Sequence, residues 1–146
     1  NDVLVHGRKL AGILVELTPG RGRTPAAVVG IGINLHLPPD AEVEYATGVT
    51  DLADSLGRAP GPSELLGRVL VQLHRLFDVY AAAGFSALRG AWQQRNAFAE
   101  LPVSISGETE ALSGICAGVD EDGALLLRTA DGLRRVLSGE VSLRLA

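Results

Sequence analysis

At 146 residues, 47% of them hydrophobic and 21% charged, the chain can form one domain of ordinary size, or one with a small satellite, and is too apolar to stay disordered. A net charge of −4 and an isoelectric point near 5.3 leave no basic footprint, which argues against nucleic-acid binding by this segment. The single cysteine, Cys116, excludes an intramolecular disulfide, and without a signal peptide or long apolar run the expected location is the cytoplasm, with no membrane partner.

Residues 1–35 read as three strands, over 1–5, 9–17 and 26–35, with a turn at His6 and Gly7 and a break at Pro19, Gly20 and Gly22. Three apolar runs in succession predict a buried antiparallel sheet. Asn1, Asp2, Lys9 and Asn34 are the polar residues placed in it. Lys9 is the only lysine, every other basic residue being arginine. A lone ammonium suits a site that needs a compact point charge, although on spacing alone a solubilising lysine at a strand edge is the favoured explanation. Gly30 and Gly32 inside the third run mark close approach of a backbone or ligand. With no third glycine and no helix after them, they are not a dinucleotide fingerprint. Asn34 ends that run with an amide able to read adenine or hold a phosphate oxygen, or simply to close a turn.

A polar, proline-bearing stretch from 36 to 45 reads as an exposed loop. Thr50 is expected to cap a helix over 51–56 that Gly57 ends, and Ser63 to cap the next one. In that next helix Leu66, Val69, Leu70, Leu73, Leu76, Phe77 and Tyr80 make one apolar stripe, which predicts a core helix. His74 falls on its polar face and reads as solvated. A second helix over 85–96 carries Phe85, Leu88 and Trp92 on one face, with Trp92 as a packing anchor. From Leu101 the pattern changes to short β runs over 103–106, 110–119, 124–128, 133–137 and 141–145, punctuated by Ser106-Gly107, Asp122-Gly123 and Asp131-Gly132. Asp-Gly between alternating runs is a strong hairpin signal. Five closely spaced strands suggest a small SH3-like barrel, with Pro102 at its boundary. Cys116, inside the apolar run Ile115-Cys116-Ala117, reads as an inert core thiol.

Three motifs stand in register: Asn1-Asp2-Val3-Leu4, then Lys9-Leu10-Ala11-Gly12-Ile13-Leu14, then Gly30-Ile31-Gly32-Ile33-Asn34. Together they resemble the central sheet of the biotin protein ligases, which carry a Trp-Pro-Asn-Asp stretch, a Lys-x-x-Gly-Ile-Leu strand and a Gly-x-Gly-x-Asn strand in this order. The resemblance runs to the C-terminus. It implies an α+β architecture: the latter part, over 1–99, of a class II synthetase-like catalytic domain with an antiparallel or mixed sheet and packed helices, then an SH3-like domain over 100–146. Because the chain lacks methionine and begins inside a motif, a fragment of a longer protein is expected, without the family's upstream biotin loop. Arg21-Gly22-Arg23 is superficially similar to that loop but lies between two strands.

The implied reaction joins biotin to ATP as an adenylate, with Mg²⁺, and passes the biotinyl group to a lysine of the biotin carboxyl carrier protein of acetyl-CoA carboxylase. By resemblance, Lys9 and Asp2 are catalytic, and Lys9, Asn1, Gly12, Gly32, Asn34, Glu140 and Arg144 line the biotin and nucleotide sites. No protein metal ligand is expected. A homodimer through the central sheet is a further implication. Arg8, by strand alternation, reads as surface. The rivals are a lipoate or octanoate ligase-transferase of the same superfamily, and a non-catalytic dimerising or co-repressor module.

Overall fold

The structure is a computed structural model, and it describes residues 1–18, 26–38, 45, 47–106, 112–137 and 142–145. The chain divides into two compact units, 1–69 and 70–146.

In the first unit, β1 (Asp2–Val5), β2 (Arg8–Thr18) and β3 (Ala26–Ile33) form an antiparallel sheet in the order β1-β2-β3. His6 and Gly7 both take positive φ, so the tight turn sits where the sequence puts it. Register is regular between β2 and β3 but shifts in β1, where Val3 pairs with Ala11 and Leu4 with Lys9, leaving Leu10 as an extra residue on β2. The expected burial of this sheet is not observed. Ala11 is buried, but Leu14, Val15, Leu17 and Val28 are all more than half exposed. An apolar run favours burial but does not by itself supply the cover.

Helix α1 (Leu52–Leu56) is capped by Asp51, not by Thr50: the Asp51 carboxylate accepts from the Asp54 amide, and Gly57 ends the helix at φ 73. Helix α2 (Pro62–Ala83) begins on Pro62, whose fixed φ and missing N–H suit the first position, so Ser63 lies inside it. Its stripe does not make a core helix in this chain, since Leu66, Leu70, Phe77 and Tyr80 are each at least half exposed and none of its residues is buried. His74 is exposed beside Asp78, as expected of a solvated face.

In the second unit, α3 (Ser86–Gln93) precedes β4 (Pro102–Ser106), β5 (Leu112–Val119), β6 (Leu125–Thr129), β7 (Gly132–Val136) and β8 (Ser142–Leu145), paired in the order β7-β6-β5-β4-β8. Val103, Ile105, Cys116 and Leu127 form its buried core, with Phe98, Leu112, Leu125 and Val136 against them. Phe85 and Leu88 are half-buried, whereas Trp92 is 40% exposed and anchors less than expected. Between Cys116 and Val119 the register shifts again, with Gly118 at φ 91. There the Val119 carbonyl accepts from Arg89 and Gln93, which ties α3 to β5. Both Asp-Gly hairpins form, with Gly123 and Gly132 at positive φ. Among the described residues the sheet has two edges, β7 and β8, and does not close into a barrel. No helix of the described residues is long and apolar enough to cross a membrane.

Candidate active site

The site begins with a row across the first sheet. Asp2 pairs with Gly12 and Gly12 with Gly32, and residues directly opposite in a ladder share a face. Simple alternation would send Lys9, three residues before Gly12, to the other side. The extra residue at Leu10 reverses this, as bulges do when they re-aim a side chain. The Lys9 ammonium thereby stands 2.7 Å from Asp2 Oδ1. A Cβ at Gly12 would lie 3.6 Å from Lys9 Cε and 3.7 Å from Nζ, so this glycine is the floor under the amine. Among the described residues no atom lies within 4 Å of where a Gly32 Cβ would be, which leaves the sheet open there beside the ion pair.

A loop pairs with β2 at Lys9. Lys9 N donates to the Gly48 carbonyl and Thr50 N to the Lys9 carbonyl, and Lys9 forms a parallel bridge with Val49. Tyr45 arrives with this loop: its hydroxyl donates to Asp2 Oδ2 at 2.7 Å and its ring centroid lies 4.9 Å from Lys9 Nζ. Burial pushes the Asp2 carboxyl up, but the bonds from Lys9 and Tyr45 and the Lys9 charge outweigh it and hold it below its ordinary value.

Asn34 meets Lys9 at the backbone. Its Nδ2 donates to the carbonyls of Thr50 at 3.0 Å and Lys9 at 3.4 Å, both acceptors, which fixes the NH₂ end toward them. The Asn1 carbonyl accepts from Ile13 N. Arg8 is half exposed, as read from alternation, but is not idle: it donates to the Val49 carbonyl and pairs with Asp54. Arg144 lies on β8 opposite Ser104 in the second unit, while Glu140 and Arg21-Gly22-Arg23 fall outside the described residues. Lys9, Asp2, Gly12 and Asn34 are thus neighbours in one unit. The sequence does not mark Tyr45, because nothing in the spacing of a polar loop signals an aromatic that folds back on a strand.

Residues 102–144 match the family described as the biotin protein ligase C terminal domain. The chain is 37% identical to the biotin ligase for acetyl-CoA carboxylase of Paracoccus denitrificans, over 97% of this chain and 60% of that protein. Over 97% or more of its length the chain is similar to biotin protein ligases. Bifunctional ligase/repressor BirA of Escherichia coli (strain K12) is 31% identical over 100% of this chain and 45% of its own length. Biotin protein ligase from Aquifex aeolicus, solved in complex with biotin and ATP, superposes with a TM-score of 0.86 at 29% identity, over 100% of this chain and 60% of that one. The chain therefore spans from 45% to 60% of the length of these relatives.

Among the described residues the chemistry on hand is the Lys9 ammonium and the groups that hold it. Among the described residues no three His, Cys, Asp or Glu side chains cluster as a metal site, and Asp2 is bonded through both oxygens. These residues do not fit a protein cage for Mg²⁺.

Proposed function

We propose that the protein carrying this chain is an ATP-dependent biotin protein ligase, which forms biotinyl-AMP and transfers the biotinyl group to a lysine of a biotin carboxyl carrier domain. The observation that carries this reading is the Lys9 ammonium, held at 2.7 Å by Asp2 above Gly12 and beside the open stretch at Gly32. In the first step a biotin carboxylate oxygen attacks the α-phosphorus of ATP and pyrophosphate leaves. Two anions must approach each other, so fixed positive charge offsets their repulsion and the charge building on phosphorus. Lys9 supplies that charge, and Asp2 sets its direction. A ligand lying along the Gly12–Gly32 row meets backbone instead of side chains.

Asn34 has a narrower role than its amide alone suggests. With both donors turned to carbonyls, it offers Oδ1, which accepts from an adenine amino group but cannot donate to phosphate. Asn1 borders the same sheet beside Ile13, and Glu140 and Arg144 belong to this reading through their place in the C-terminal segment. The same proposal assigns 1–99 to the catalytic domain and 100–146 to an SH3-like domain, a division supported by the family match over 102–144.

The test is mass spectrometry of a carrier-domain acceptor incubated with the full-length protein, ATP and either biotin or lipoate. A biotinyl mass shift is expected, and a lipoyl shift in its place overturns the assignment. In the same protein Lys9→Ala should slow adenylate formation on the order of a hundredfold or more. An unchanged rate would remove Lys9 from the reaction.

A further inference from the structure

We infer that Tyr45 is a positioning residue for the adenylation step, acting through Asp2 to hold the Lys9 ammonium in one place; the inference rests on the ligase reading above. The Asp2 carboxylate is divided between two partners. Oδ1 takes the Lys9 ammonium at 2.7 Å, and Oδ2 takes the Tyr45 hydroxyl at 2.7 Å. A carboxylate bonded through one oxygen keeps a broad terminal torsion, and one bonded through both does not. The phenol therefore fixes the plane of the group that fixes the amine.

The ring adds a second constraint. At 4.9 Å from the centroid, Nζ lies within cation–π range of a face that excludes water from one side of the ammonium. Asp2 bounds it on another side, and the floor at Gly12 on a third. Three sides of the ammonium are thus bounded by groups of this unit. Tyr45 is itself held in register with the amine: its carbonyl accepts from Gly48 N, and the Gly48 carbonyl accepts from Lys9 N. Lysine has a long flexible stem, so an ammonium that must meet charge developing on phosphorus gains from this enclosure only if the whole arrangement is set before the nucleotide arrives.

The experiment uses the full-length ligase and measures pyrophosphate release on adenylate formation from biotin and ATP. Tyr45→Phe keeps the ring and removes the bond to Asp2. It should lower kcat on the order of tenfold while KM for ATP and biotin stays within about twofold, the signature of an interaction felt in the transition state. Tyr45→Leu, which loses the ring as well, should be slower still. Because Tyr45 acts through Asp2, adding Tyr45→Phe to Asp2→Asn should slow that variant no further. Independent roles would instead multiply the two losses, and that result overturns the inference. Wild-type kcat in Tyr45→Phe overturns it too, and if Lys9→Ala is slow in the same assay the ligase reading survives alone. A normal rate in Lys9→Ala would bring down the ligase role of Lys9 and this inference with it.

Discussion

A methyl group added at Gly32 would meet no atom of the described residues within 4 Å, whereas at Gly114 it would fall 2.5 Å from the Arg128 carbonyl oxygen and 2.9 Å from Leu127 Cγ. Gly114 is thus required by the close approach of β5 and β6, and Gly32 by nothing among the described residues. Gly114→Ala is expected to destabilise the second unit by about 1–3 kcal/mol, the usual range for overpacking. Gly32→Ala should leave the melting temperature unchanged and raise KM for ATP, since the added methyl occupies the surface on which a nucleotide would lie. A thermal melt and a KM measurement on each variant check the pair, and a large loss of stability in Gly32→Ala would count against an open ligand face. The sequence marks Gly32 and Lys9 through their motifs. It is silent on the bulge at Leu10 that turns Lys9 toward Asp2, because that register depends on pairing with β1 and not on the residues of β2.

Helix ends show how a local signal can be right in kind and displaced by one residue. Thr50 and Asp51 are both plausible caps by composition. Asp51 takes the role because one of its oxygens accepts from Asp54 N, and the other from Leu37 N in the segment after β3. Those two amides pull the Asp51 carboxyl below its ordinary value. The sign follows from linkage: a carboxyl whose folded pKa is depressed stabilises fully above its unfolded value, about 3.9, and ceases to do so as pH falls through the lowered one. Asp51→Asn should therefore be less stable than the wild type near neutral pH, with a melting temperature lower by several degrees. The difference should shrink as pH drops below about 4. A gap that persists unchanged into acid would show that the charge contributes nothing. Periodicity misleads differently in α2, where the apolar stripe is not covered among the described residues: Leu66, Leu70, Phe77 and Tyr80 stay at least half exposed.

At the scale of the whole chain the two units differ in what holds them. The second has a core in which Val103, Ile105, Cys116 and Leu127 are no more than 3% exposed, and the segment before it is tied in by bonds from Glu100 N to the Cys116 carbonyl and from Cys116 N to the Leu101 carbonyl. In the first, Ala11 is the buried apolar residue among those described, and the strands rely on their ladder bonds and on the loop joined to Lys9. This contrast was not legible in the sequence, because β2 and β3 are as apolar as β5 and β6 and only tertiary contacts decide which runs are covered. Local opening free energy follows buried apolar contact more than hydrogen-bond count. Native-state hydrogen exchange on the 146-residue chain should accordingly find its slowest amides in β4, β5 and β6, around Val103, Cys116 and Leu127. Amides of β2 beyond Ile13, where Leu14, Val15 and Leu17 face water, should exchange much faster despite their complete pairing with β3. Equal protection in the two sheets would mean that the β1–β3 ladder is stabilised by something other than side-chain burial, since its paired amides are matched by no comparable core.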